Sequence, residues 1–272
     1  MNYHDRESSA PKTSILAASA GIALLFAGTA TGGALAFRAI AGLPLIPAVA
    51  EAEQGALSEV AAALARIPPP TSEPEPVLPP SASLGTVPFT TQAPLGSWDQ
   101  PFQDACEETS VLMAMAWVRG KQTIAPADAA RAIREMVAFE EFQFGYHRDT
   151  DIRDTATMFT GYFEYPNVRV RYDIGIADIK REIAQGNLVI IPASGIALKN
   201  PAFKSPPPHH MIVVTGYDDT DAQFIVHDPG TRLGKDYRYA YDVIDQALHD
   251  WTGSPETILT GRRGMIVVSR DR

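Results

Sequence analysis

Residues 67–88, IPPPTSEPEPVLPPSASLGTVP, carry eight prolines. Proline fixes φ and lacks an N–H, so this stretch sustains neither a helix nor a sheet ladder. It reads as a semi-rigid extended spacer and divides the chain in two. On its N-terminal side, residues 13–37, TSILAASAGIALLFAGTATGGALAF, run 25 positions without a charge. About 20 apolar residues span a bilayer as a helix. These features predict a short tail over 1–12, a transmembrane signal anchor over 13–37, an Ala- and Pro-rich stalk over 38–83 and one folded domain over 84–272. Two alternatives compete. In a cleaved signal peptide, Ala48-Val49-Ala50 would be the processing site, although it lies well beyond an unusually long apolar run. In the other, the run is a buried soluble helix. The anchor and the signal peptide both translocate the domain to the extracytoplasmic side. Asp5, Arg6, Glu7 and Lys12 nearly cancel, so positive-inside counting has little to act on.

The chain is 45% apolar and 20% charged, an ordinary globular mix. Its net charge of −9 and the absence of any basic cluster argue against a nucleic-acid partner, since phosphate binding needs grouped Lys and Arg. A single cysteine excludes an intramolecular disulfide framework. Within the domain, helical spacing of Val111, Leu112, Met115 and Val118 predicts a helix from Cys106 to about Arg119, stopped by Gly120. A second helix is predicted over 126–139, with Pro126 in its first turn, and a third after Thr150. Val- and Ile-rich runs over 168–174, 188–193, 210–217, 223–228 and 265–269 read as strands, with short helices over 176–186 and 240–251. Helices come first and strands gather later, which predicts an α+β fold with an antiparallel sheet packed on helices.

Four residues could carry chemistry together. Cys106 opens a helix, where unpaired N–H groups favour a thiolate. Glu107 and Glu108 suit a first helical turn, yet their charge opposes that thiolate, so a base must lie close. His210 begins a strand, a rigid mount for an imidazole general base. Asp228 ends the next strand, and an antiparallel hairpin would bring it beside His210, where a carboxylate orients the ring. Gln92 precedes the cysteine by fourteen positions, across a loop with Pro94, Gly96 and Pro101, and its amide could assist an oxyanion. Each has a plainer reading: a buried thiol, a loop-end histidine, an Asp-Pro-Gly turn, a surface glutamine. His209 should point to the face opposite His210, and His227 to the face opposite Asp228. His209, His210, His227 and Asp218 form no HExxH or paired CxxC pattern, so no metal is expected.

The order and local context of VPFTTQAPLGSWD (87–99), ACEETSVLM (105–113), HMIVVTGYD (210–218) and VHDPG (226–230) resemble the papain-like cysteine peptidases. Within them, the pattern is similar to the bacteriocin-processing leader-peptidase-like, or C39-like, group. The resemblance covers roughly residues 86–270. It implies a papain-like fold, Cys106 as nucleophile, His210 as general base and then acid, Asp228 as orienting group, and Gln92 sharing the oxyanion hole with the Cys106 backbone. It also implies a peptide or protein substrate and no cofactor. Some members ride on an ATP-driven exporter, but no GxxxxGK[ST] loop occurs in this sequence, which argues against cutting a leader at a double glycine during export. The expected protein is a membrane-tethered cysteine peptidase. A transpeptidase or amidase on cell-wall peptides, and a non-catalytic peptide-binding module, would share the same cleft. The segment LKNPAFKSPPP (198–208), just before His210, is expected to border that cleft and filter substrates.

Overall fold

A computed structural model describes residue 59 and residues 77–270. The tail over 1–12, the anchor over 13–37 and nearly all of the stalk lie outside the described residues. Among the described residues, no helix is long and apolar enough to cross a membrane. The chain divides into two units, Met1–Glu75 and Pro76–Arg272, and the second carries the fold below.

Seven strands form one sheet: β1 (Ser81–Ser83), β2 (Val168–Tyr172), β3 (Leu188–Ala193), β4 (His210–Asp218), β5 (Gln223–His227), β6 (Tyr237–Ala240) and β7 (Gly264–Val268). Their order is β2-β7-β3-β4-β5-β6, and every pairing is antiparallel. Helices α1 (Cys106–Val118), α2 (Pro126–Phe144) and α3 (Ile152–Thr157) precede most of the sheet, whereas α4 (Ile176–Ala184) and α5 (Tyr241–Ala247) are inserted between strands. The α+β arrangement is the one the element order predicts.

Two boundaries differ from expectation. The stalk was expected to run to residue 83, but β1 lies within it and pairs with the far end of β4, Ser83 opposite Gly216. The Tyr217 hydroxyl donates to the Pro79 carbonyl at 2.8 Å, and the Asp219 N–H to that of Pro80 at 2.8 Å. The domain therefore begins before residue 84. A Cβ on Gly216 would meet the Ala82 carbonyl oxygen at 2.8 Å, so the approach of β1 requires glycine there. Helix α2 continues past 139 to Phe144 because nothing stops it before Gly145, whose φ of 82° is the left-handed cap that glycine adopts freely.

Period-2 alternation sorts the sheet into two faces. Leu188, Ile190, Met211, Val213, Ile266 and Val268 pack with Val111, Met113, Met115 and Trp117 of α1. Val189, Ile191, Ile212, Val214, Met265 and Val267 pack on the other side with Ile179, Ile183, Ile244 and Leu248. Helix α1 is buried on almost every side, between the sheet and the other helices, and beyond its polar first turns it is apolar all round. A rigid, buried helix fixes its first residue relative to the start of β4. The Ser110 hydroxyl, one turn beyond Cys106, donates to the Met211 carbonyl at 3.4 Å.

Candidate active site

Cys106 is the first residue of α1, preceded by a 3-10 turn at Phe102–Asp104. No side chain caps this helix end. The partial positive charge of a helix N-terminus favours a thiolate, but other forces outweigh it. Burial pushes the Cys106 pKa well above its ordinary value, and Glu107, Asp149 and Glu108 push the same way. The thiol keeps its proton and donates it to Glu107 Oε2 at 3.0 Å.

The opposite balance holds at Asp228, which is fully buried. Its Oδ1 takes His210 Nε2–H at 2.7 Å and the Gly230 N–H at 3.0 Å. Its Oδ2 takes the Tyr239 hydroxyl at 2.7 Å and Asn200 Nδ2 at 3.2 Å. Burial alone would raise its pKa, but His210 and the hydrogen bonds from His210, Tyr239 and Gly230 hold it below the usual carboxylate range. A carboxylate bonded to Nε2 places the ring proton there and leaves Nδ1 as the acceptor. The Phe203 ring packs edge-on against His210, with centroids 5.4 Å apart. Asn200 and Phe203 both lie in the 198–208 segment, which therefore touches the His–Asp pair directly. Asn200 and Tyr239 were not foreseen, because nothing local marks an asparagine in a loop or a tyrosine in a short strand.

Gln92 joins the two halves of the site. Its backbone N–H donates to the Pro229 carbonyl at 3.0 Å, next to Asp228. Its side-chain amide donates to the carbonyls of Phe102 and Gln103, at 3.0 and 2.8 Å, in the turn before Cys106. Both amide hydrogens are thus engaged, and in this conformation neither is free for an oxyanion. Gln92 Oε1 is buried without a partner.

The histidines separate by face. His210 shares its face with Ile212 and Val214; His209 shares the other with Met211 and Val213, the face α1 covers. His209 Nε2 lies 3.3 Å from Glu107 Oε1, but neither atom is aligned for a hydrogen bond. His227 is committed elsewhere: Nε2 donates to the Val87 carbonyl at 2.8 Å and Nδ1 accepts from the Asp236 N–H at 3.2 Å. The structure thus unites His210 with Asp228, and Gln92 with both the α1 turn and the Asp228–Pro229 corner. No hydrogen bond joins Cys106 to His210. The site is closed, with Cys106 5% and His210 1% exposed. A surface cleft between Pro101 and α2, edged by Arg134 and Arg148, contains none of these residues. Among the described residues, no group of His, Cys, Asp and Glu is arranged to hold a metal ion.

A lone cysteine at the start of a buried helix, packed on an antiparallel sheet whose neighbouring strands carry a His–Asp pair, is the arrangement of the papain-like cysteine peptidases. Residues 85–255 match the sequence model described as the Peptidase_C39 like family, and the chain belongs to that family. Among solved structures, the chain is similar to a C39-like peptidase from Bacillus anthracis, at 15% identity and a TM-score of 0.46, over 71% of this chain and 99% of that one. It is also similar to xylellain, a cysteine protease from Xylella fastidiosa, at 15% identity and a TM-score of 0.38, over 72% and 88%. No curated protein matches.

Proposed function

We propose that this chain hydrolyses peptide bonds with Cys106 as nucleophile, His210 as base and then acid, and Asp228 as orienting group. The observation that carries the reading is the fully donated Asp228–His210 pair, whose Nδ1 is left as a proton acceptor at the end of the sheet that α1 covers. In the reaction Cys106 turns away from Glu107, its proton passes to His210 Nδ1, and the thiolate attacks the carbonyl carbon. The imidazolium then protonates the leaving amine. Water, deprotonated by the same nitrogen, releases the acyl group and restores the thiol. The first-turn N–H of Cys106 stabilises the oxyanion, and Gln92 joins it once its amide swings off the Phe102 and Gln103 carbonyls. Tethering belongs to the same proposal. It rests on the uncharged run over 13–37 and the proline-rich spacer, which together would carry the domain outside the cytoplasmic membrane face.

The test is hydrolysis of a peptide library by the full chain, compared with Cys106→Ala, His210→Ala and His209→Ala. Loss in the first two, with turnover lowered but not abolished in the third, supports the assignment. Hydrolysis that survives Cys106→Ala removes it. Peptide binding without hydrolysis would favour a binding module, and transfer to added amines a transpeptidase.

A further inference from the structure

The mechanism above uses neither Glu107 nor His209, yet both are buried against the nucleophile. Glu107 is fully buried and bridges two neighbours: Oε2 accepts the Cys106 thiol at 3.0 Å, and Oε1 faces His209 Nε2 at 3.3 Å. His209 is 1% exposed, and neither ring nitrogen has a hydrogen bond. Its ring lies against Trp251, with centroids 5.4 Å apart. A buried imidazole whose one polar neighbour is a carboxylate that it does not hydrogen-bond is unfavourable, and such groups commonly answer to a function rather than to stability. We propose that Glu107 and His209 form a latch on the nucleophile: Glu107 holds Cys106 as a bonded thiol turned from His210, and a charged His209 draws Glu107 off and frees it. Both are positioning residues, and the inference rests on Cys106 being the nucleophile.

The electrostatics of the pocket fit this geometry. Burial lowers the His209 pKa, but Glu107, Asp149 and Asp250 outweigh it and the net shift is upward. Asp149, between α2 and α3, is raised to about 6, by burial first and then by Glu107. Glu108 and Glu140 stand behind Glu107 and add negative charge as they ionise. His209, and less strongly Arg148, pull the Asp149 pKa back down, and Arg148 pairs with Asp104 at 3.2 Å. Below its folded pKa, His209 is charged and offsets Glu107. As pH rises through that pKa the offset is lost, Glu107 stands alone against the thiol, and the latch tightens.

The test is the rate of Cys106 alkylation by iodoacetamide against pH, in the full chain. Glu107→Gln keeps the shape and removes the charge. It should move the midpoint down by about one to three pH units, as for any like charge removed at this range, and speed the reaction at neutral pH tenfold or more. His209→Gln removes the offset and should slow the reaction at the acid end of the profile, where wild-type His209 is charged, and leave the alkaline end unchanged. A Glu107→Gln profile that overlays wild type, or a His209→Gln profile that is unchanged or faster in acid, overturns the latch. The wild-type S–H stretch gives a reading that needs no variant to fold: a hydrogen-bonded frequency supports the latch, and a free-thiol frequency overturns it. These readouts need no substrate. Predicted shifts without peptide hydrolysis would sink the peptidase reading alone; hydrolysis with unshifted profiles would sink the latch alone.

Discussion

Asp228→Asn probes the His–Asp pair through bonds that can be counted. The carboxylate accepts four hydrogen bonds, two on each oxygen. Asparagine keeps one acceptor and turns the other into a donor. With its oxygen toward His210, its amide meets Tyr239 and Asn200, and at least one of their donors is left unpaired. With its amide toward His210, it donates to Nε2 and moves the ring proton to Nδ1, where it blocks uptake of the thiol proton. An orphaned buried donor costs about 1–3 kcal/mol. Adding the charge lost from the surviving bonds gives a total of about 2–4 kcal/mol. For a domain of this size that is a fall in Tm of about 4–16 °C. If the ring takes the wrong tautomer, kcat falls by about 10⁴. Calorimetry and peptide hydrolysis at pH 7 measure both. The Asp228 pKa is depressed in the fold, so its contribution is present above about 3.9 and is lost as pH falls through the lower folded value. The Tm gap between wild type and variant should therefore close in acid. Tyr239→Phe removes a single donor and should cost about 1 kcal/mol with less than a tenfold effect on kcat. A variant Asp228→Asn with wild-type Tm and kcat within tenfold would refute the argument.

Gln92→Ala removes two bonds that hold the turn before Cys106; it should lower stability by about 1–2 kcal/mol and kcat about a hundredfold, and an unchanged Tm would remove the bridging role. Deleting 198–208 takes away both Asn200 and Phe203. Turnover should then collapse on every peptide, whereas altered preference at normal kcat would restore a purely filtering loop. Glu140 is pushed up to about 8, chiefly by burial, from an ordinary 4.5. The native state therefore holds a proton that the unfolded chain releases, and stability falls as pH rises between those values. Glu140→Gln should flatten that slope in denaturant titrations across the range and match wild type below it; a parallel slope in the variant would exclude Glu140 as its source.

The parts legible in the sequence were those written in local pattern. Apolar spacing and Gly120 marked α1, and the Val- and Ile-rich runs marked β3, β4, β5 and β7 because each is buried in the sheet's centre or beside it. Strand β1 was hidden because Ser-Ala-Ser has no pattern of its own. It is a strand only because β4 offers an unpaired edge beyond the end of β3. Strand β6 is four residues long, too short for alternation to register. The partners of Asp228 were illegible for a different reason: Asn200 lies 28 positions away and Tyr239 eleven, on segments that meet only in the folded chain.

The histidine pair shows where pattern stops and packing begins. Alternation separates His209 from His210 with no knowledge of the fold, since adjacent strand residues point to opposite faces. It cannot say which face α1 will cover. That choice is made by Met211 and Val213, which join the core with Val111 and Met115 of α1, while Ile212 and Val214 join the core beneath α4 and α5. His209 thereby falls on the cysteine's side and His210 beside Asp228. A single strand start then serves both arrangements: one imidazole bonded to the Asp228 carboxylate, and its neighbour set against Glu107.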